Sequence, residues 1–316
     1  MSRTSKPASC ILAIALAALA LSAASPQPDL PPGLKTVTVS DGVELHYMER
    51  GSGVPVIFVH GSLSDGGYWS DVVGPFGEDH RVVAYSRRYN FPNTNPIQTG
   101  YSAVVDADDL AALINKLALG PVHVVGHSYG ALTALFLAVR HPELVRTLVL
   151  AEAPAVSLLA DLHDSHDAGK ATLADIQTRM VKPMRAAFQK GDRDAGVGAF
   201  MAYIFNDPQA WEKMSESSRR ETLKNAREWD AMLVSGELFP TLDPRAVRRI
   251  QAPVLLLSGE KSYPFLALID AELQRLLPHC RRVVVRGATH QMWLQQPEVC
   301  RKAVMDFWRT AATDPK

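Results

Sequence analysis

The pentapeptide Gly126-His127-Ser128-Tyr129-Gly130 combines residue types and spacing suited to nucleophilic chemistry. The apolar run Pro121-Val122-His123-Val124-Val125 precedes it, and Ala131-Leu132-Thr133-Ala134-Leu135-Phe136-Leu137-Ala138 follows it, so the stretch reads as strand, sharp turn, helix. A serine in G-x-S-x-G at such a junction sits on a strained turn with its hydroxyl exposed. The flanking glycines remove Cβ atoms that would collide where strand and helix meet. The plainer alternative makes Gly126 and Gly130 turn glycines and Ser128 a helix N-cap. A serine hydroxyl is inert without a base, an acid to orient the base and donors for an oxyanion, so the rest of the chain decides.

Rigid elements must position such a set. Residues 36–39 and 43–47 alternate around Asp41-Gly42, which reads as a hairpin. Residues 54–59 form a continuous apolar run ending in His60-Gly61-Ser62, as expected of a strand buried on both faces. Residues 82–85, 122–125, 148–150, 254–257 and 283–285 repeat that character. Helical patterns at 103–119, 129–139, 265–277 and 297–308 fall between or after them, with Pro297 suited to a first helical position. This alternation predicts an α/β fold: a mostly parallel, doubly wound sheet of about eight strands, with only the first hairpin breaking the pattern.

Residues 154–249 carry no convincing strand pattern. Helices are expected there at 174–190, 195–205 and 217–234, punctuated by Asp207-Pro208 and Asp243-Pro244, so the segment reads as a helical cap inserted after the sixth strand. The core would then comprise 36–153 and 250–316. Met201, Tyr203, Phe205, Trp229, Met232 and Phe239 are candidates to line a pocket, with Met292 and Trp293 from the core. Most of them should instead pack helices, because every cap helix needs an apolar face.

The 316-residue chain has zero formal net charge and 47% apolar residues, enough to bury a full core. No like-charge run suggests nucleic-acid binding, and a small neutral or apolar substrate fits better. Neither G-x-G-x-x-G nor a phosphate-binding G-x-x-x-x-G-K-[ST] occurs, and no cofactor is expected. At the N-terminus, Arg3 and Lys6 precede an apolar run from Ile11 to Leu21, then Ser22-Ala23-Ala24-Ser25 and a Pro-rich stretch. These are the regions of a secretory signal peptide over 1–24, cut after Ala24 and followed by a linker at 25–35, which predicts a secreted or periplasmic protein. A run of about eleven residues is too short to span a bilayer, so no stable membrane span is expected after cleavage. Cys10 lies ahead of that run, badly placed for lipid modification. Cys280 and Cys300 remain, either as a disulfide or as two buried thiols. Neither sits at a strand-to-helix turn, so neither is a candidate nucleophile.

With the hairpin, His60-Gly61, Gly126 to Gly130 and Gly287-Ala288-Thr289-His290 in this order, the mature chain resembles an α/β-hydrolase along nearly its whole length. The resemblance makes His290 the base, since it follows the last strand through Gly287; a neutral imidazole can take the serine proton and return it. In many members the acid is an aspartate after the seventh strand, in a pattern like G-E-x-D. Here Gly259-Glu260-Lys261-Ser262 places a serine at that position. Glu152, immediately after the sixth strand, stands where some relatives such as certain haloalkane dehalogenases carry their acid. Glu260 and Asp243 are the other candidates, and Glu152 could also be a helix-cap or ion-pair carboxylate. The oxyanion donors implied are the N–H groups of Ser62 and Tyr129.

A serine rather than an aspartate at the elbow implies an acyl-enzyme and argues against dehalogenation. Arg87 or Arg88 is read either as a contact for a substrate carboxylate or as an ion-paired structural arginine. His163-Asp164-Ser165-His166 reads as a polar loop rather than a metal site, because nothing supplies the remaining ligands at recognisable spacing. The expected activity is a serine hydrolase on an ester or lactone. Carbon–carbon hydrolysis or cofactor-free perhydrolysis on the same triad, and a non-catalytic binding module, are the alternatives.

Overall fold

The computed structural model describes residues 33–163, 166–234 and 236–311. The signal peptide read at 1–24, and the linker at 25–35 apart from its last three residues, lie outside the described residues. Eight strands are formed: β1 (Lys35–Thr38), β2 (Glu44–Arg50), β3 (Val54–Val59), β4 (His80–Tyr85), β5 (Val122–His127), β6 (Val145–Ala151), β7 (Val254–Gly259) and β8 (Cys280–Val285). They build one sheet in the order β1-β2-β4-β3-β5-β6-β7-β8. Strand β2 runs antiparallel to both β1 and β4, and every other pairing is parallel. The mostly parallel sheet of the sequence reading is therefore present, with antiparallel pairing only where β2 meets β1 and β4.

Residues 56–59 of β3 and all of β5 are buried because helices cover both faces. On one face the core includes Leu110 of the helix Ala103–Lys116, Leu135 of Tyr129–Arg140 and Ile269 of Pro264–Leu276. On the other, Phe76 of Ser70–Phe76 and Phe307 of Pro297–Ala311 pack around Phe58 and Trp69. The aromatic rings there meet edge-on or tilted, Phe58 against Trp69 at 4.9 Å and Trp69 against Trp293 at 5.3 Å, geometries that suit the ring quadrupoles. Burying each such ring contributes ~2 to 3 kcal/mol.

Among the described residues, the segment between β6 and β7 contains helices and no strand. It belongs to the same compact unit as the sheet, Pro32–Lys316. The helix expected at 174–190 begins earlier, at His166, and carries a π-helical turn at Ile176–Val181 before Lys182–Phe188. The helix expected over 217–234 is two helices, Glu216–Lys224 and Arg227–Val234. Asn225 explains the break: its buried carboxamide accepts from Phe91 N at 2.8 Å and donates to Asp65 Oδ2 at 3.0 Å, tying the joint to loops of the core.

The helix Tyr129–Arg140 approaches β3 so closely that a Cβ on Gly130 would lie 2.2 Å from the Val59 carbonyl oxygen and 2.4 Å from that of His60. Both obstacles are backbone and cannot rotate away. Gly130→Ala should therefore destabilise the protein by ~3 kcal/mol, read as a lower urea midpoint at unchanged m-value. A shift below ~0.5 kcal/mol would show that helix and strand separate easily.

Candidate active site

Strand pairing brings the candidate residues together. In the register of β5 and β6, His127 lies beside Ala151, so Ser128 and Glu152 emerge as neighbours from the carboxyl ends of two parallel strands. Ser128 N–H donates to the Ala151 carbonyl at 2.8 Å, which ties the elbow to the strand that carries Glu152. Both residues have positive φ, 52° at Ser128 and 56° at Glu152. A left-handed backbone at a non-glycine residue costs on the order of 1 kcal/mol or more, and packing must hold it. At Ser128 the following turn does so, with Ala131 N and Leu132 N donating to its carbonyl. Gly126 leaves the needed room, since a Cβ there would sit 2.5 Å from Gly130 O.

Glu152 has a side chain only 1% exposed, and both of its oxygens are engaged. Oε1 accepts from Gly259 N at 2.7 Å; Oε2 accepts from Ser262 Oγ at 2.7 Å and from His290 Nδ1. A carboxylate oxygen accepts in this contact, so Nδ1 is the donating nitrogen, and in a singly protonated ring Nε2 keeps the lone pair. Gly259 serves twice here, because a Cβ on it would meet the Thr289 carbonyl at 2.4 Å and push the His290 loop outward.

The other acid candidates are used elsewhere. Glu260 Oε2 accepts from Gly287 N at 2.8 Å and pins the start of the His290 loop. Asp243 caps the helix Pro244–Val247 by accepting from Arg245 N at 2.8 Å. Neither carboxylate contacts His290, whereas Glu152 does.

His127 ties the elbow strand to the same loop. Its Nε2–H donates to the His290 carbonyl at 2.9 Å, and its ring stacks on Tyr68 at 5.2 Å. Burial first, and the neighbouring His290 second, push its pKa down to about 3. Gly61 closes the opposite side of the site, where a Cβ would stand 3.0 Å from the Ser128 Cβ. Ser62 and Tyr129 line the same cavity as Ser128 and His290, and Tyr129 opens its helix, where N–H groups have no helical acceptor.

The cavity measures about 360 Å³. Of the pocket candidates, Met201, Phe205, Trp229 and Phe239 line it. Tyr203 instead faces Arg179, and Met232, Met292 and Trp293 are buried in the cores. Met180, Met184, Phe200 and Phe265 are lining residues that the sequence did not single out, because helical spacing marks an apolar face without saying whether a cavity or a neighbour meets it. Among the described residues, no Lys, Arg, Asp or Glu lines it.

Arg87 and Arg88 are ion-paired and do not line the cavity. The Arg87 guanidinium is fully buried against Asp106 and Glu228, and Arg88 forms a two-pronged pair with Asp109, both contacts at 2.7 Å. Cys280 and Cys300 are free thiols, so the disulfide option is not taken. Burial pushes them up to about 11 and about 12. Asp164 and Ser165 of the His163–His166 loop lie outside the described residues.

Residues 56–303 match the alpha/beta hydrolase family. The chain belongs to this family. It is 29% identical over 269 residues to the 2-(acetamidomethylene)succinate hydrolase of Mesorhizobium japonicum, covering 84% of this chain and 91% of that one. It is 28% identical over 281 residues to the 2-hydroxy-6-oxo-6-(2'-aminophenyl)hexa-2,4-dienoic acid hydrolase of Metapseudomonas resinovorans, covering 84% and 88%. Among solved structures, a thermophilic esterase from Thermogutta terrifontis superposes with a TM-score of 0.67 at 22% identity, over 89% of this chain and 99% of the other, a likeness of fold. The protein is thus an alpha/beta hydrolase enzyme. Ser262, which stands where many of the family carry an aspartate, is a hydrogen-bond donor to Glu152 in this hydrolase.

The low pKa of buried His127 predicts a contribution to acid sensitivity. Between pH 6.5 and about 3 the unfolded chain binds a proton at this residue that the folded chain refuses, so stability falls as the pH falls. His127→Asn should flatten that limb by up to ~1.4 kcal/mol per pH unit, seen by comparing urea midpoints at pH 7.5 and pH 5.5. Parallel midpoint losses in variant and wild type would assign the acid sensitivity to other groups.

Proposed function

We propose that this hydrolase cleaves a carboxylic ester or lactone through an acyl-enzyme formed on Ser128. The carrying observation is the buried Glu152–His290 contact beside Ser128, at the wall of an apolar cavity. In this reading His290 Nε2 takes the Ser128 proton as the oxygen attacks the carbonyl, and Glu152 stabilises the imidazolium that forms. The N–H groups of Ser62 and Tyr129 receive the developing oxyanion, and the dipole of the helix Tyr129–Arg140 favours the negative charge there. His290 then protonates the leaving alcohol, and a water deprotonated by His290 attacks the acyl carbon to regenerate Ser128. A lactone follows the same steps with the alcohol tethered to the acyl chain.

The helical segment 154–249 acts in this reading as the cap that shapes the acyl pocket. Two relatives are named for acting on a succinate and a dienoic acid. A carboxylate in a confined apolar cavity needs a cation, and the described lining residues include no Lys or Arg. That supports an uncharged, apolar acyl group and weighs against an acidic substrate. The N-terminal pattern supports an exported protein, which N-terminal sequencing of the mature chain would test by finding residue 25 first.

The test is a panel of p-nitrophenyl esters with butyryl, hexanoyl and hemisuccinyl acyl groups, run on wild type, Ser128→Ala and Glu152→Gln. Ser128→Ala should lose at least ~10³-fold in kcat and fail to react with a fluorophosphonate, and Glu152→Gln should lose ~10²- to 10⁴-fold in kcat. The two uncharged esters should exceed the hemisuccinate by about tenfold or more in kcat/KM. Activity retained in Ser128→Ala would end the acyl-enzyme reading, and a preference for the hemisuccinate would end the substrate reading.

A further inference from the structure

The backbone from His60 to Leu63, beside the cavity, is anchored by several buried side chains. The Gly61 carbonyl accepts from His60 Nδ1 at 2.8 Å and from Arg87 Nη2 at 3.1 Å. The His60 carbonyl accepts from Arg87 Nε at 3.3 Å, while His60 Nε2 accepts from Arg87 N at 3.0 Å, which leaves the ring proton on Nδ1. One residue beyond Ser62, Leu63 N donates to Glu228 Oε1 at 2.5 Å. In a planar trans peptide the Ser62 N–H points opposite to the Gly61 C=O. Donors that hold the carbonyl therefore set the direction of the N–H, and they polarise the peptide so that this N–H donates more strongly.

The same guanidinium also packs on the side chain of the residue that carries the second N–H donor. Arg87 lies over the Tyr129 ring at 4.9 Å. It is held by Asp106 at 2.7 Å and by Glu228, and Asp106 accepts in turn from Tyr101 OH at 2.7 Å. Arg87 and Glu228 are 0% exposed and Asp106 is 1% exposed. A buried ion cluster is often no better for stability than apolar residues of the same volume. This one anchors the two residues that flank Ser62 and packs on Tyr129. Glu228 comes from the helix Arg227–Val234, whose next residue, Trp229, lines the cavity.

We infer that Arg87 is a positioning residue for the oxyanion hole, holding both the Ser62 and the Tyr129 N–H groups on target, and that Glu228 couples this setting to the helix that walls the cavity. The inference rests on the acyl-enzyme reading and concerns groups outside the triad.

Arg87→Lys keeps the charge but loses the guanidinium fork, and Glu228→Gln keeps an acceptor for Leu63 N while removing the ion pair. Each is compared with wild type on p-nitrophenyl butyrate, on a butyl trifluoromethyl ketone, whose hemiketal oxyanion occupies the hole, and on 4-nitrophenyl butyl ether, which has no carbonyl. Arg87→Lys should lose about tenfold or more in kcat with KM changed less than about threefold, because the lost contact matters in the transition state. Ketone affinity should fall in parallel, ether affinity should hold, and Glu228→Gln should shift all readouts the same way by a smaller factor. Unchanged kcat and ketone affinity in a folded Arg87→Lys would overturn the inference, as would a rise in KM and loss of ether affinity at constant kcat. If Arg87→Lys does not fold, Glu228→Gln decides by the same criteria. A wild type with no Ser128-dependent ester turnover would instead overturn the acyl-enzyme reading beneath it.

Discussion

Glu152 is a carboxylate with almost no access to water, and its position depends on accepting hydrogen bonds from three groups: Gly259 N, Ser262 Oγ and His290 Nδ1. An isolated buried carboxylate would cost several kcal/mol or take up a proton. The three donors come from the end of β7, the turn after it and the loop after β8, so satisfying one oxygen pair requires all of those ends to converge. The convergence is possible because β6, β7 and β8 are adjacent and parallel, presenting their carboxyl ends on one edge of the sheet.

Backbone also approaches closely along that edge. The glycines at 61, 126, 130 and 259 each stand where a Cβ would come within 3.0 Å of another group. They are spread over the loop after β3, the elbow and the end of β7. The site is therefore assembled by close backbone contact, and the left-handed residues Ser128 and Glu152 are held in place by that packing.

Two polar arrangements support the cavity from opposite sides. Behind the His290 loop, His127 is neutral and fixed by a hydrogen bond and a stacked tyrosine. Behind the His60–Leu63 loop, Arg87 is cationic and fixed by two carboxylates, burial opposing its charge and Glu228 with Asp106 restoring it. The cavity between them is walled mainly by methionine, phenylalanine and leucine side chains of the helical segment and the helix Pro264–Leu276. Charge is kept near the backbone that the reaction would use and away from the space a substrate would fill.

The strand order of chemistry was legible in the sequence. Local patterns reach residues whose chain neighbours carry the signal: the strand-turn-helix around Ser128, Gly287 ahead of His290, and Glu152 at the end of an apolar run. Glu152 was preferred over Glu260 and Asp243 there only through the family resemblance, because which carboxylate faces one imidazole depends on residues 138 positions apart in the chain. The break at Asn225, the pocket roles of Met180 and Met184, and the Ser262 hydroxyl bonded to Glu152 likewise involve partners remote in the chain. Arg87 is the clearest case: one residue type allowed either a substrate contact or a buried ion pair, and only the arrival of Asp106 and Glu228 from separate helices settled it. Sequence determines what each segment can form and which groups it carries; tertiary structure decides which of them meet, because hydrogen bonds and ion pairs act over a few ångströms in space regardless of distance along the chain.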